Sequence, residues 1–463
     1  MYLKRALCFV LLSQCLAYFQ QDKQDDCFCQ LSGKIDECTC NIDTVDHFNN
    51  VKIYPRLSSL LVKDYFRFYK VNLKRPCPFW SDDSKCAMRY CRVESCGEDD
   101  IPPGIKGDNR MAKRSLEINA SEKYTREVNE DCEAHHNEML DYLNMTISEE
   151  AQKELVKWDA YDDALDNFCD IDENDQDAEY VDLLLNPERY TGYAGPSAHK
   201  IWQSIYLENC FRPKRSFSFN PYIQSGKLNE LCLEERVFYR VISGLHASIN
   251  THLCANYLLS NANGMSFTDP KGKWGPNLSE FQRRFSPEST NGEGPNWLRN
   301  LYFVYLVELR ALAKAGPYLE DEEYFTGNDA SDWDTRMAIK DLLKVIKQFP
   351  DHFDESTMFR NVEQAERLKF EFKQHFRNIT RIMDCVGCEK CRLWGKLQTQ
   401  GLGTALKILF SGKFDKVIQN RRLDAHNKKE FQLQRMEIVS LVNAFGRLST
   451  SIYKLDDFRQ MLR

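Results

Sequence analysis

The stretch Cys385-Val-Gly-Cys388-Glu-Lys-Cys391-Arg-Leu-Trp394-Gly395 lies near the C-terminus of the 463-residue chain and carries three cysteines at three-residue spacing. In a helix this spacing places the three side chains on one side, one turn after another. A Cys-x-x-Cys pair is a motif in which proteins lower a thiol pKa and exchange disulfides, although it also occurs in metal sites. Because the chain has secretory features and almost no metal-type histidine spacing, redox chemistry is favoured.

The N-terminus has the features of a secretory signal. Lys4 and Arg5 precede an apolar run from Ala6 to Leu12, and Cys15-Leu-Ala17 offers small residues where a signal peptidase cuts. The run is too short to cross a bilayer, and no later segment has the roughly 18 uninterrupted apolar residues that a span needs. We therefore predict a signal peptide over residues 1–17 and a mature chain in a lumen or outside the cell.

Composition agrees with that compartment. Two of the 18 cysteines lie in the predicted signal, and the even number that remains indicates disulfides in an oxidising environment. The net charge is −7 and no basic stripe is present, which argues against nucleic acid as a partner. Sequons compatible with lumenal exposure occur at Asn119, Asn144, Asn277 and Asn378.

Apolar residues recur at helical spacing through most of the second half of the chain. The predicted helices are Glu234 to Leu259, Trp297 to Ala315, Met337 to Phe349, Glu363 to Met383 and Glu437 to Leu462. Their apolar stripes need one another for burial, so we predict a mainly α fold with a helix-bundle core and a disulfide-stapled N-terminal segment wrapped on it. The acidic stretch Asp162 to Asp182 and the polar stretch Gly97 to Lys123 are predicted to be solvated loops.

The first four cysteines of the mature chain form two Cys-x-Cys pairs, Cys27-Phe-Cys29 and Cys38-Thr-Cys40. On facing arms of a hairpin these pairs would make nested bridges, Cys27–Cys40 with Cys29–Cys38. A four-thiolate zinc site is the alternative. In this compartment structural disulfides are favoured, and we predict no metal site.

A second group consists of Cys77, Cys86, Cys91 and Cys96. Cys91 lies five residues from both Cys86 and Cys96, so loop-closure entropy hardly distinguishes the two bridges. A cysteine with two equally accessible partners is a candidate redox switch, and one static bridge with a spare thiol is equally compatible with the spacing.

Several long segments resemble the endoplasmic reticulum oxidoreductin family. They are Asp384-Cys-Val-Gly-Cys-Glu-Lys-Cys-Arg-Leu-Trp-Gly through Phe410, Tyr180-Val-Asp-Leu-Leu-Leu-Asn-Pro-Glu-Arg-Tyr-Thr-Gly-Tyr193, Ser243 to Asn250, Arg75 to Trp80 and Cys86 to Cys96. The resemblance implies an FAD-dependent thiol oxidase that re-oxidises protein disulfide isomerase with molecular oxygen, giving hydrogen peroxide.

The resemblance also implies a location in the endoplasmic reticulum lumen. The C-terminal Gln460-Met-Leu-Arg463 is not a Lys-Asp-Glu-Leu-type tail, so retention is expected to use another device. Peripheral association with the lumenal face of the membrane is compatible with this location. We expect three parts: the signal peptide 1–17, a cysteine-rich segment 18–100 with the shuttle loop, and a helical FAD-binding core 101–463 that forms one domain with segment 18–100.

Carried onto this sequence, the resemblance gives the catalytic cysteines their roles. Cys388 and Cys391 would be the redox pair beside the flavin, with Cys391 nearer its ring, and Cys86 and Cys91 the shuttle pair. The implied structural bridges are Cys77–Cys385 and Cys210–Cys232, the implied inhibitory bridges are Cys91–Cys96 and Cys86–Cys132, and Cys169 and Cys254 receive no partner.

The flavin site is implied in the same way, since the chain has no Gly-x-Gly-x-x-Gly loop after a strand. The family's flavin-binding positions correspond here to Arg189, Thr191, Trp202, Ser243, His246 and Arg284. Ser243 and His246 would share one helix face, Trp202 would supply a stacking plane and Arg284 a fork for phosphate oxygens.

The chain departs from the family pattern at one flavin contact. After Gly292-Glu-Gly-Pro295 the family offers an Arg, where this chain has Asn296-Trp297, and Arg299 is the candidate substitute. Two other functions remain as alternatives: a secreted disulfide-rich or zinc-holding binding protein, and a disulfide isomerase. The second lacks a Trp-Cys-Gly-His-Cys-type site on a βαβ background.

Overall fold

The computed structural model describes part of the chain, and all structural statements refer to that part. Its residues are 27–29, 38–80, 91–106, 167–169, 172, 175–188, 196–211, 231–259, 273–349, 353–360, 362–411, 414, 431 and 433–463, with the backbone alone for 27–29, 38–41, 196–197 and 362–363. The predicted signal peptide, Cys86, Cys132, Arg189 and Thr191 lie outside the described residues.

Helices form most of the described structure, as the apolar periodicity predicts. In chain order they are α1 (Ile42–His47), α2 (Tyr54–Leu60), α3 (Asp64–Arg67), α4 (Pro103–Lys106), α5 (Pro196–Gln203), α6 (Leu233–Ala255), α7 (Leu278–Phe285), α8 (Pro287–Thr290), α9 (Gly294–Glu320), α10 (Asp329–Ile346), α11 (Val362–Ile382), α12 (Glu389–Phe410) and α13 (Arg435–Leu462). Single π turns follow α1 and α5, over Phe48–Ile53 and Ser204–Glu208. The fold class is mainly α, as predicted.

The core is a bundle of the four longest apolar helices. α6 packs on α9, α9 on α12, α12 on α13, and α13 on α6, so each helix buries its face against two neighbours. Two glycines permit close approach: a Cβ atom at Gly244 of α6 would lie 2.1 Å from the Asn300 carbonyl of α9, and one at Gly401 of α12 would lie 2.4 Å from Ala444 of α13. α10 packs on α9, and α11 packs on α12.

Local signals explain several helix starts. Asn328 caps α10 by accepting from the Ser331 amide at 3.2 Å, and Asn277 caps α7 by accepting from the Glu280 amide at 3.0 Å. The N-terminus of α13 uses Glu437, whose carboxylate accepts from the Gln434 amide at 2.8 Å. The same carboxylate pairs with buried Lys407 of α12 at 2.7 Å, which joins the two helices.

The described residues also form three small antiparallel sheets, each of two strands. β1 (Cys27–Cys29) pairs with β2 (Cys38–Asn41), β3 (Phe68–Val71) with β4 (Glu179–Asp182), and β5 (Tyr257–Leu259) with β6 (Lys273–Gly275). The β1–β2 pairing confirms the predicted hairpin, with Cys29 opposite Cys38 and Cys27 opposite Asn41. Since their side chains are outside the described residues, the nested bridges stay a prediction.

Two predicted helix boundaries are wrong. The helix expected over Glu234 to Leu259 ends at Ala255, because Tyr257–Leu259 pairs as β5 with β6. The helix expected from Met337 begins at Asp329, where the Asn328 cap starts it. None of the described helices combines the length and the hydrophobicity that a membrane span requires.

Candidate active site

The Cys-x-x-Cys pair lies at the start of α12. Cys388 is the N-cap residue, and its sulfur accepts a hydrogen bond from the Cys391 amide at 3.3 Å. Both cysteines are thiols and each is 1% exposed. The positive end of the helix dipole favours negative charge on a sulfur in this position, which is the form that attacks a disulfide.

The third cysteine of the motif does not share that helix. Cys385 ends a 3₁₀ turn and forms a disulfide with Cys77, which confirms the bridge implied by the resemblance across 308 residues. Val386 and Cys388 then adopt extended backbone conformations, so α12 begins only at Glu389. The prediction of three cysteines on one helix side is therefore wrong, since the bridge to Cys77 and the extended link set the position of Cys385.

A buried cluster of charged side chains lies next to Cys385 and the start of α12. The Lys396 ammonium contacts Asp384 at 2.7 Å and Asp172 at 2.8 Å, and the Arg75 guanidinium contacts Asp172 and Asp175, each at 2.9 Å. Burial raises the pKa of Asp384 against the opposing effect of Lys396 and Arg75. Burial disfavours the charge of Lys396, but Asp172 and Asp384 outweigh this cost and raise its pKa.

This cluster corrects the prediction that Asp162 to Asp182 is only a solvated loop. Asp172 is 6% exposed and Asp182 is 2% exposed, because both carboxylates are bound by basic groups of distant segments. Arg67 binds Asp182 through its guanidinium, and residues 179–182 form β4. The acidic composition of the stretch reflects internal ion pairs as well as solvation.

The segment that leads to Cys77 is attached to α12 through its backbone. Arg392 donates to the carbonyls of Leu73 at 2.7 Å and Val386 at 2.9 Å, and Lys396 donates to the carbonyl of Asn72 at 3.1 Å. These bonds fix the entry to the predicted shuttle loop relative to the Cys-x-x-Cys pair. Beyond Cys77, the Trp80 ring lies under the Lys200 ammonium of α5 at 4.6 Å.

The exit from that loop also meets α12. Cys91 is disulfide-bonded and 2% exposed, and the Val93 amide donates to Glu389 at 2.9 Å. Cys96 is a thiol, so the predicted Cys91–Cys96 bridge is not formed in this structure. The partner of Cys91 lies outside the described side chains, as does Cys86.

Two of the predicted flavin residues stack on each other. The rings of Trp202 on α5 and His246 on α6 have centroids 3.5 Å apart and planes 18° apart, and the Tyr206 hydroxyl lies 2.9 Å from His246 Nδ1. Burial, and to a lesser extent the positive charge of nearby Arg284, lowers the pKa of His246 to about 3. The imidazole is therefore neutral near pH 7.

The other two described flavin residues lie beside this pair. Ser243 is buried one turn before His246 on α6 and accepts a hydrogen bond from the Asn300 amide group at 3.0 Å. Arg284, near the end of α7, donates to Glu280 at 2.7 Å and to Asn250 of α6. Asn250 follows His246 by one turn of α6, so this contact holds the Arg284 guanidinium beside the helix that carries the imidazole.

The chemistry of these side chains fits a flavin dinucleotide. An aromatic plane (Trp202), a neutral imidazole (His246), a hydroxyl (Ser243) and a cationic fork (Arg284) are the groups that hold ring systems and phosphate oxygens. Trp202 and His246 are the side chains that would contact the ring systems of a bound flavin dinucleotide. Arg299, the candidate substitute for the missing family Arg, is half-buried in the second turn of α9.

Sequence reasoning missed a buried ion pair directly before the predicted flavin residues Arg189 and Thr191. Glu188, directly before Arg189, accepts two hydrogen bonds of 2.6 Å from the guanidinium of Arg447 on α13, and both side chains are buried. His252 of α6 lies 3.5 Å from the same carboxylate. The pair joins positions 259 residues apart, so no local signal identifies it.

The remaining cysteines are buried thiols or caps. Cys210 and Cys232 are both thiols, so the implied bridge between them is not formed, and the Cys232 sulfur instead caps α6 by accepting from the Glu235 amide. Cys254 is 0% exposed, and burial raises the pKa of its thiol to about 12. Cys169 is buried and its thiol donates to the Gln400 carbonyl at 3.9 Å.

Two further predictions concern metal sites and sequons. Within the described ranges, His, Cys, Asp and Glu side chains nowhere form a group that could hold a metal ion. Asn378 is 5% exposed inside α11, so its sequon is buried in the folded protein, and Asn277 uses its side-chain oxygen as the cap of α7. Asn119 and Asn144 lie outside the described residues.

Comparison with known proteins agrees with this arrangement. The family model described as Endoplasmic Reticulum Oxidoreductin 1 (ERO1) matches residues 52–455. The "Ero1-like protein" of Drosophila melanogaster is 54% identical over 96% of this chain and 92% of its own, and "ERO1-like protein alpha" of Homo sapiens is 52% identical over 94% and 92%.

A solved structure shares the fold. It is described as "Structure of Ero1p, Source of Disulfide Bonds for Oxidative Protein Folding in the Cell", and it aligns with a TM-score of 0.58 and 27% identity over 91% of this chain and 98% of that one. The match covers the helical bundle and the cysteine motif together. The chain therefore belongs to the endoplasmic reticulum oxidoreductin family, whose members are oxidoreductases acting on thiols.

Proposed function

We propose that this protein is an FAD-dependent thiol oxidase that re-oxidises protein disulfide isomerase in the endoplasmic reticulum lumen and produces hydrogen peroxide. One observation carries the proposal. The buried Cys388 and Cys391 thiols lie where α12 begins, and that same helix start is bonded to both ends of the predicted shuttle loop, through Arg392 on one side and Glu389 on the other.

The first step is disulfide exchange with the protein partner. A thiolate of the reduced partner attacks the Cys86–Cys91 disulfide, and a mixed disulfide forms while one shuttle cysteine leaves as a thiolate. The second partner thiol resolves the mixed disulfide, so the partner becomes oxidised and the shuttle pair becomes a dithiol. A separate shuttle pair is needed because Cys388 and Cys391 are too deeply buried to meet a folded protein directly.

The second step moves the electron pair inward. A shuttle thiolate attacks the Cys388 sulfur of the Cys388–Cys391 disulfide, a mixed disulfide forms and Cys391 leaves as a thiolate. The second shuttle thiol resolves the mixed disulfide, so Cys388 leaves, the shuttle pair becomes a disulfide again and the inner pair becomes two thiols, the form in which the structure holds it. The Cys391 amide and the start of α12 favour the thiolate form of Cys388, which makes Cys388 a good leaving group. Cys391 is the residue that we assign to face the flavin.

A bound FAD would accept this electron pair and pass it to molecular oxygen. Arg189, Thr191, Trp202, Ser243, His246 and Arg284 are the residues that would hold it. Neutral His246 can accept or donate one hydrogen bond without adding charge, while Arg284 supplies the positive charge that phosphate oxygens require.

The compartment and the domain organisation are part of the proposal. Relatives named for the endoplasmic reticulum and for oxidative protein folding support a lumenal location, with residues 1–17 as the signal peptide. The backbone bonds from α12 to Leu73 and Asn72 support one domain that includes both the 18–100 segment and the 101–463 core.

The shuttle assignment has a direct test. Cys86→Ala should stop oxidation of reduced protein disulfide isomerase yet spare oxidation of dithiothreitol, because a small thiol can reach the inner pair without the shuttle. The measurement is oxygen consumption with each substrate. Cys254→Ala, which removes a buried thiol with no assigned role, is the control and should leave both rates unchanged. A Cys86→Ala variant that oxidises both substrates normally would contradict the assignment.

A further inference from the structure

Residues 93–96, which follow Cys91, run alongside β4 without forming a regular strand. The Cys96 amide donates to the Tyr180 carbonyl at 2.8 Å, and Ser95 forms an isolated antiparallel bridge with Val181. The Ser95 hydroxyl also donates to Glu179 at 2.6 Å. The edge of the small β3–β4 sheet therefore holds this segment in an extended form.

One side chain holds the middle of the segment. Asn186 is 0% exposed, its amide oxygen accepts from the Glu94 backbone amide at 2.8 Å, and its amide nitrogen donates to the Glu94 carbonyl at 2.8 Å. The same nitrogen donates to the Asp182 carbonyl at 3.0 Å. The Asn186 side chain thus makes the two hydrogen bonds that a neighbouring strand would make with Glu94, so the N–H and the C=O of Glu94 are both satisfied.

The Asn186 contact is itself fixed to the helix of the reactive pair. The Trp394 indole of α12 donates to the Asn186 carbonyl at 2.8 Å, and Glu389, next to Cys388, accepts from the Val93 amide at 2.9 Å. Two points of α12 therefore hold the same short segment, one directly and one through Asn186.

This geometry opposes a bridge between Cys91 and Cys96. Cys91 itself lies in a 3₁₀ turn, and the extended segment after it carries the Cys96 Cα atom roughly 10 Å from the Cα atom of Val93. A disulfide requires Cα atoms within about 7 Å. The chain must therefore fold back, and it can do so only by breaking the bonds at Val93, Glu94 and Cys96. Burial, Asp182 and Asp100 also raise the pKa of the Cys96 thiol, which makes it a weaker nucleophile.

We propose that Asn186 is a positioning residue that decides which partner Cys91 takes, by holding residues 93–96 extended along β4 and away from the Cys91–Cys96 bridge. The inference rests on the proposed function, in which Cys86–Cys91 is the working pair. Loosening the Asn186 contact shifts Cys91 from its partner in that pair to Cys96.

The shift is an exchange without net oxidation. The Cys96 thiolate attacks the Cys91 sulfur, the Cys91–Cys96 bond forms, and the bond from Cys91 to Cys86 breaks. Cys86 leaves as a thiolate and takes up the proton that Cys96 released to solvent. No external oxidant or reductant is consumed, so the balance between the two bridges is a property of the chain.

The test is a disulfide map of the full-length protein after equilibration in a glutathione buffer of fixed ratio. Trypsin cuts after Arg89 and Arg92, so each bridge joins a different pair of peptides. The Cys86–Cys91 disulfide links the peptide of residues 86–89 to the peptide of residues 90–92. The Cys91–Cys96 disulfide links the peptide of residues 90–92 to the peptide of residues 93–106. After acid quenching and alkylation, the ratio of the two cross-linked peptides is measured by mass spectrometry.

The expected result is graded. Asn186→Ala removes two hydrogen bonds to Glu94 and should raise the ratio of Cys91–Cys96 to Cys86–Cys91 about tenfold. Glu389→Ala removes only the Val93 bond and should raise it about threefold. The matched control Glu389→Gln keeps an acceptor and should leave the ratio at the wild-type value.

Each outcome decides the inference. A folded Asn186→Ala variant with a ratio within about twofold of wild type would overturn it. If Asn186→Ala does not fold, the variants of exposed Glu389 provide the test. Equal ratios of the Cys91–Cys96 to the Cys86–Cys91 bridge in Glu389→Ala and Glu389→Gln would then overturn the inference. The map needs neither flavin nor oxygen, so a shifted ratio in a protein that oxidises no thiols would contradict the proposed function and leave the inference standing.

Discussion

The two ends of α12 are held in different ways. At the N-terminal end, Arg392 and Lys396 reach the backbone of residues 72–75, and Lys396 binds two buried carboxylates. At the C-terminal end, Gly401 allows α12 to approach α13 so closely that a Cβ atom would lie 2.4 Å from Ser440 and Ala444. The N-terminal end depends on directional polar contacts to loop backbones, whereas the C-terminal half depends mainly on close packing, to which the Lys407–Glu437 ion pair is added.

This difference indicates how one helix serves both fold and chemistry. Close packing without polar groups has one arrangement and resists movement. Polar contacts to loop backbones can be broken and remade one at a time, which suits the end where we propose that disulfides are exchanged. We therefore expect the C-terminal end to set the stability of the bundle and the N-terminal end to set the geometry of the cysteines.

The largest expected effect comes from Lys396. Lys396→Met removes the nearer of the two cations that the buried Asp172 and Asp384 share and leaves them with Arg75 alone, which should cost about 3 kcal/mol of unfolding free energy. The matched variant Lys407→Met, at the other end of α12, leaves only Glu437 and should cost less. Urea unfolding at pH 7 measures both variants, and a smaller loss for Lys396→Met than for Lys407→Met would contradict the comparison.

The next effect compares two glycines of the same helix. Gly401→Ala places a methyl group 2.4 Å from the Ser440 carbonyl and Ala444, and should destabilise the bundle by about 1–3 kcal/mol. Gly395→Ala meets only the end of the Met383 side chain, which can move, and gains helix propensity, so it should be near neutral. Equal losses in thermal or urea unfolding would show that the two ends pack alike.

The smallest effect is a pH dependence of stability that arises from His246, one of the proposed flavin-binding residues. Burial lowers the pKa of His246 from 6.5 to about 3, so between these values the unfolded chain binds this proton more strongly than the folded protein does. Stability from His246 is therefore present above pH 6.5 and is lost as the pH falls, by about 1 kcal/mol between pH 7 and 5.5.

The pH dependence is measured by urea midpoints at both pH values. His246→Gln should lose this part of the change, and His199→Gln, at an exposed position, is the control. If His246→Gln keeps the wild-type difference between pH 7 and pH 5.5, the buried neutral imidazole is not its source.

Periodicity predicted most of the long helices, because an apolar stripe states which face must be buried. It failed where distant segments decide the structure. Tyr257–Leu259 continues the apolar pattern of α6 but forms a strand, since Lys273–Gly275 offers a partner. Cys385 has helical spacing to Cys388, yet its bond to Cys77 keeps it outside α12.

The site was predictable to the same extent. Resemblance implied the Cys77–Cys385 bridge and brought Trp202 and His246 to one place, where the structure stacks them. It gave no sign of Asn186, or of the Glu188–Arg447 pair, because a single polar residue does not indicate a partner that lies tens or hundreds of positions away. Such contacts emerge only when the fold has placed their elements.

The central claim is that electrons pass from thiols through Cys391 to a bound flavin and then to oxygen. The most direct test is a visible spectrum of the purified protein, before and after dithiothreitol under nitrogen and then in air, for wild type and Cys391→Ala. We predict a flavin band in both proteins, with bleaching and recovery in wild type alone. A colourless wild type that binds no added FAD, or a Cys391→Ala flavin that bleaches at the wild-type rate, would contradict the account.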